Sequence, residues 1–185
     1  MADPLPVFTI GHSTRPIPDF VTLLRAGSVQ VVVDIRSVPR SRTNPQYNLD
    51  ALPDALAPFQ IAHLRLAELG GLRGKSGIPP EVNGFWQNQS FHNYADYALS
   101  EPFRVGLAQL IEVSALRRTA IMCAEAVWWR CHRRIVADYL IRAGREVFHL
   151  MGDDLVTPSS MTEAATEAPD GLHYPVLTSE ASIRA

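Results

Sequence analysis

Cysteine is nearly absent: the 185 residues hold two, Cys123 and Cys131. Two thiols make no disulfide framework, so stability has to come from a packed core. The pattern fits a reducing cytoplasm, with both thiols free, ligated or redox-active. No apolar run approaches the roughly 20 residues that cross a bilayer, so no membrane partner is expected. The opening MADPLPVFTIGHS lacks a basic segment followed by an apolar stretch, so it does not read as a secretory signal. An excess of charge is missing too. Seventeen Lys and Arg face nineteen Asp and Glu, a net charge of −2. That excludes a global pull toward nucleic acid or anionic membrane and leaves only a local basic patch. There is no internal repeat.

What is present is an ordinary globular balance, 46% hydrophobic and 19% charged, over a length that suits one domain. Val7–Ile10 reads as a short buried strand between prolines and Gly11. Pro18–Ala26 carries Phe20, Val21, Leu23 and Leu24 at helical spacing. Val29–Ile35, nearly all apolar and β-branched, reads as a central parallel strand covered on both faces. Ser37–Asn48 is a polar loop, Leu49–Phe59 a helix, and Ala62–Leu66 a third strand. Gly70–Gly84, with five glycines and two prolines, is a long loop that can serve as a lid. Phe91–Leu99 and Glu101–Leu116 are helices, Thr119–Cys123 a strand, Cys131–Ala143 a helix stopped by Gly144, and Glu146–Met151 the last strand.

Strands alternating with helices give an α/β, Rossmann-like three-layer domain around a mainly parallel sheet of about five strands. This unit is expected to span residues 1–152. Residues 153–185 form a C-terminal extension, packed in part around 170–176 and otherwise mobile.

The unusual polar residues follow the strands. Strand one ends in Gly11-His12-Ser13, strand two in Asp34-Ile35-Arg36-Ser37, strand three runs into Glu68-Leu69-Gly70-Gly71, and strand four ends in Cys123-Ala124-Glu125. Carboxyl ends of parallel strands share one edge, where ligands bind, so four segments converge on one site. The richest stretch runs from Cys123 to Arg134, from a strand end into a helix start that can bind an anion or lower a thiol pKa. Glu125, directly after a buried strand, needs a partner such as Arg36 or Arg133, or acts as general acid/base. Cys123 is a nucleophile, a metal ligand or simply a small core residue. Cys131, His132 and Arg133 read as thiolate, proton shuttle and anion clamp, or as a helix start around a buried histidine. Cys123, Cys131 and His132 also admit zinc, although C-x7-C-H is not the usual spacing and adjacent Cys–His chelation is awkward. No cofactor is expected otherwise. His12 is placed with Glu125, Cys123 and His132 as catalytic. Ser13, Arg36, Ser37, Arg42, Gly70, Gly71, Tyr94, Arg130, Cys131 and Arg133 are placed as substrate-binding. Tyr47 in the loop beyond Arg42 can reach over the pocket. Trp86 and Trp128–Trp129 stack a planar ligand or roof a core.

These motifs also resemble a family. GlyHisSer, AspIleArgSer-Val-Pro-x-Ser-Arg, GluLeuGlyGly, PheHisAsnTyrAlaAspTyr, CysAlaGlu-x5-CysHisArg and a late Leu-x-TyrPro, from about Thr9 to Pro175, resemble the family called domain of unknown function 488. The resemblance implies a Rossmann-like α/β domain of bacteria and archaea. It implies a site at His12, Ser13, Arg36, Ser37, Arg42, Cys123, Glu125, Cys131, His132 and Arg133. One departure is the Thr43-Asn44-Pro45 continuation before Tyr47.

Three functions are compatible. The first is an enzyme acting by acid/base chemistry, hydrolysis or group transfer, on a phosphate-bearing, nucleotide-like or nucleic-acid substrate. Its partner is then an anionic small molecule or a nucleic acid, with any duplex base flipped out. The second is a cysteine-based thiol or redox enzyme; Cys123-x6-Arg130 is one residue longer than the C-x5-R loop of cysteine phosphatases. The third is a non-catalytic nucleic-acid or metal-binding module.

Overall fold

The computed structural model describes residues 4–152 and 155–178. Five strands, β1 (Val7–Gly11), β2 (Val31–Asp34), β3 (Ala62–Arg65), β4 (Thr119–Cys123) and β5 (Val147–Gly152), pair in parallel. A sixth, β6 (Leu155–Pro158), adds antiparallel to β5, giving the order β3-β2-β4-β1-β5-β6. The sheet thus has five parallel strands and one antiparallel edge strand. It remains mainly parallel, and helices cover both faces.

Why these segments became strands follows from their composition. Val31–Asp34 is buried at every position, as is Val7–Gly11, because helices cover both faces of the inner strands. Side chains alternate between two cores. Phe8, Ile10, Val32, Ala120 and Met122 pack with Phe20 and Leu24 of α1 (Ile17–Ala26) and with Leu52 and Leu56 of α2 (Leu52–Leu56). Val7, Val31, Val33, Ile35 and Ile121 pack on the other side. There they meet Tyr94 of α3 (Gln89–Tyr97), Phe103 and Leu110 of α4 (Glu101–Leu116), and Ile135 and Leu140 of α5 (Arg133–Arg142). Each such fully buried side chain is worth about 1.5–3 kcal/mol. The helix expected over Leu49–Phe59 is shorter. It runs Leu52–Leu56, tightens to a 3-10 turn over Ala57–Phe59, and stops where Gln60 takes a left-handed φ of 60°.

The strand order places the site. From β1 the chain crosses past β4, through α1, to reach β2. From β4 it crosses the opposite way past β1, through α5 on the other face, to reach β5. The neighbours β1 and β4 thus send their connections in opposite directions. Ligand crevices in such sheets lie at the carboxyl edge near this switch, and here the cleft opens beside it, between the ends of β2 and β4. Gly11 pairs with Cys123, and Asp34 pairs with Met122, so these strand ends stand level there.

Residues 159–178 lie against α5 and the segment 82–86. β7 (Thr166–Ala168) and β8 (Gly171–His173) form a two-stranded hairpin. Tyr174 is fully buried, its hydroxyl donating to Asp138 Oδ2 at 3.0 Å and its N–H to Asn83 Oδ1 at 3.1 Å. Thr162 N–H donates to Asp138 Oδ1 at 2.9 Å. Residues 153–154 and 179–185 of the extension lie outside the described residues.

Candidate active site

A cleft of about 380 Å³ opens at the carboxyl edge between β2 and β4. Its walls come from the ends of β2 and β4, the loop before α5, the loop at Gly71–Leu72, and the start of α3. Of the residues singled out in the sequence, Arg36, Ser37, Gly71, Cys123, Glu125, Arg130, Cys131 and His132 line it. His12, Gly70, Tyr94 and Arg133 are buried among the residues behind these walls. Ser13 lies at the turn after β1, and Arg42 is exposed in its loop. Val38, Leu72, Ser90 and Phe91 line the cleft without having been singled out as site residues. Val38 and Leu72 are 61% and 73% exposed apolar residues in polar loops, where no periodicity marks them.

The wall at Gly11 is closely fitted. His12 N–H donates to Cys123 O at 2.9 Å and Ser13 N–H to Ala124 O at 3.0 Å, so the β1–β4 ladder continues beyond both strands. A Cβ on Gly11 would run into the Glu125 carbonyl. Glycine is therefore required here for close approach of two backbones.

His12 is spent inside this wall. Its Nδ1 donates to Ser13 O at 2.8 Å, its Nε2 accepts from Arg36 Nη1 at 3.2 Å, and its ring stacks on Tyr47 at 4.2 Å. Burial, with the Arg36 charge beside it, lowers its pKa to about 4. Arg36 is equally committed. Its Nε and Nη2 bind Asp34 at 2.9 and 2.6 Å, and Nη2 also donates to Tyr47 O at 2.6 Å. Burial alone would raise the pKa of Asp34; the Arg36 hydrogen bonds override it and hold the carboxyl at about 2. The Arg36 charge at the cleft is thus neutralised by Asp34. Tyr47 does not reach over the pocket: it is fully buried, its hydroxyl donating to Arg15 O at 2.8 Å. Ser37 Oγ accepts from Leu72 N–H at 2.8 Å and pins the Gly71–Leu72 loop.

Glu125 differs from the expectation of a partnered carboxylate. It is exposed on the cleft wall, and its carboxylate has no hydrogen-bond or ion-pair partner among the described residues. Arg133 Nη2 instead donates to the Glu125 backbone carbonyl at 2.7 Å. Arg130, on the same loop, is also exposed and unpaired among the described residues. Arg133 is 1% exposed and faces no carboxylate within ion-pair distance among the described residues.

Between these charges sits a soft cluster. Cys123 Sγ, Cys131 Sγ and a ring nitrogen of His132 lie within 4.8 Å of one another. His132 Nε2 donates to Ile35 O at 3.0 Å, which leaves Nδ1 as an acceptor, 3.6 Å from Cys131 Sγ. Arg133 N–H, at the start of α5, points to the same sulfur at 3.4 Å. The ring is held edge-on by Tyr94, whose hydroxyl donates to Leu69 O at 2.7 Å. A Cβ on Gly71 would collide with the imidazole. Burial pushes the Cys123 thiol up, and neighbouring Cys131 adds to this. Burial acts likewise on Cys131, but the Cys123 thiol, His132 and Arg133 outweigh it and hold that thiol well below its ordinary value. The cluster offers two kinds of chemistry: a thiolate–imidazole pair oriented by a carbonyl, or three ligands for a metal. The tryptophans stand elsewhere: Trp128 stacks on His149 at 4.3 Å, and Trp86 on Phe91 at 5.0 Å.

Fold and site together define a Rossmann-like α/β protein with a cleft at the carboxyl edge between β2 and β4. Residues 16–140 match the family model of a domain of unknown function, DUF488, and the chain belongs to that family. No curated protein and no solved structure matches the chain. Among the described residues no helix is long and apolar enough to cross a membrane.

Proposed function

We propose that the chain is a cytoplasmic enzyme that hydrolyses or transfers a group on a small anionic substrate, phosphate-bearing or nucleotide-like, taken into the β2/β4 cleft. Glu125 moves the proton and Arg130 meets the negative charge. One observation carries this reading. Around the cleft Arg36 is neutralised by Asp34, whereas Glu125 and Arg130 face the cleft from one loop with no partner among the described residues. A free carboxylate and a free guanidinium on one wall suit proton transfer next to bound negative charge. His12, with both ring nitrogens engaged, has a positioning role rather than a catalytic one.

The test is turnover of a panel of nucleotides, nucleosides and phosphoesters by the full chain and by Glu125→Gln. The expected result is at least one substrate turned over, with the rate falling about 100-fold or more in the variant. Undiminished turnover in Glu125→Gln overturns the role of Glu125. Absence of both turnover and any thermal shift across the panel overturns the reading as a whole.

A second reading has its own support. The 3.6 Å contact of Cys131 Sγ with His132 Nδ1, with His132 anchored on Ile35 O, is the layout of an activated thiol nucleophile. It expects Cys131 to be alkylated much faster than Cys123 by iodoacetamide, with loss of turnover.

A further inference from the structure

The geometry points to a metal site, of the kind zinc occupies, formed by Cys123 Sγ, Cys131 Sγ and His132 Nδ1, its fourth position opening on the cleft. This rests on the hydrolytic reading above and names the group that would supply its nucleophile.

The distances favour it. Bonds of about 2.3 Å to sulfur and about 2.0 Å to nitrogen at a tetrahedral angle place S and N about 3.5 Å apart. Cys131 Sγ and His132 Nδ1 stand 3.6 Å apart, so the neighbouring pair that looked awkward in the sequence already has chelating separation. The 3-10 turn Trp128–Arg130 and the helical start at Arg133 turn both side chains of this dipeptide to one side. Two sulfurs on one tetrahedral ion stand about 3.8 Å apart. Cys123, within 4.8 Å of both other donors, reaches that separation by a shift of about 1 Å or less.

The surroundings agree. A metal-bound imidazole characteristically donates its other N–H to a carbonyl or carboxylate, which fixes the tautomer. His132 does so to Ile35 O at 3.0 Å. The Arg133 N–H directed at Cys131 Sγ is the matching support for a thiolate ligand. All three ligand residues line the cleft, so a water or a substrate oxygen can complete the shell. Two thiolates cancel a divalent ion, and the buried Arg133 beside them leaves a single positive charge in excess. That excess suits an anionic fourth ligand, either hydroxide or an oxygen of an anionic substrate. Both cysteines bind as thiolates, so affinity weakens as pH falls.

The experiment uses the full chain. Metal content is measured by elemental analysis, and native thiols are titrated before and after addition of a chelator. The stripped protein is then titrated with cobalt(II). One equivalent of metal per chain is expected, with thiols protected until the chelator is added. The cobalt form should show thiolate-to-metal charge-transfer absorption with tetrahedral visible bands. Cys131→Ser and His132→Ala should each weaken cobalt binding at least 100-fold, while His173→Gln, remote from the cleft, leaves it unchanged. Metal-free protein with both thiols reacting in the native state, and no charge-transfer band on adding cobalt, overturns the site. That reading can be made on the unsubstituted chain, whether or not a variant folds. A charge-transfer band that survives in Cys131→Ser overturns the ligand assignment. The hydrolytic reading is scored separately by Glu125→Gln, which keeps all three ligands: turnover lost there without metal in the wild type leaves that reading standing and this one refuted.

Discussion

Acidification should destabilise this protein through two histidines before it protonates Asp34. His12 and His149 are 3% and 1% exposed, and burial lowers each from 6.5 to about 4. His149 has its Nδ1 2.7 Å from Thr9 Oγ1, no partner on Nε2 among the described residues, and the flat face of Trp128 against its ring. Between pH 6.5 and 4 the unfolded chain binds a proton at such a histidine and the folded chain does not. Stability is therefore complete above 6.5 and falls as pH drops toward 4. At about 1.36 kcal/mol per pH unit, each histidine forfeits about 3 kcal/mol by pH 4. Two together approach 6 kcal/mol, a large share of the roughly 5–15 kcal/mol a domain possesses. The assay is urea unfolding at a series of pH values from 7.5 to about 4, for the wild type and His149→Phe. Phenylalanine keeps the stack on Trp128 and removes the titrating group. The variant should lose about 3 kcal/mol less than the wild type across that window. Equal pH slopes in the two proteins would refute the argument for His149.

Three further outcomes follow from named contacts. Asp34→Asn leaves the Arg36 guanidinium buried without its counter-charge and should cost about 3–5 kcal/mol in urea unfolding. Asp34 itself adds a later acid limb: its pKa is held at about 2 against an ordinary 3.8, so its contribution is present above 3.8 and lost as pH falls toward 2. Gly11→Ala drives a methyl into the Glu125 carbonyl, so it should lower the melting temperature and displace the 124–126 segment, a destabilisation of about 1–3 kcal/mol or more.

Much of the sheet was legible because its inner strands are short apolar runs that carry little besides burial. Val29–Ile35 and Thr119–Cys123 announce themselves in that way. β6 did not, since Leu155–Pro158 is exposed at every position and ends in proline, leaving neither a hydrophobic alternation nor a buried run. The convergence of Arg36, Cys123, Glu125 and His132 was legible for a topological reason: parallel strands put their carboxyl ends on one edge. What was not legible was how charges pair within that edge. Asp34 and Arg36 close on each other because the chain leaves the strand between them, which lets the guanidinium fold back onto the carboxylate. The role of His12 depended on the Ser13 carbonyl, at a left-handed φ of 49°, and on Tyr47, thirty-five positions away in sequence. The Cys131–His132 separation likewise depends on a 3-10 turn and on the Ile35 carbonyl across the sheet, which spacing alone does not encode.

The ladder that continues past β1 and β4 has a kinetic consequence. Its amides at His12 and Ser13 are tied to Cys123 and Ala124, whereas the amides of residues 73–77 donate to no acceptor among the described residues. The wall bearing the soft cluster is thus held by backbone bonds, whereas the segment beyond Leu72 is held through side chains, Arg73 on Gly70 O and Ser76 Oγ on Asp96 Oδ2. Hydrogen exchange should register this as slow amides at 12 and 13 beside fast ones at 73–77.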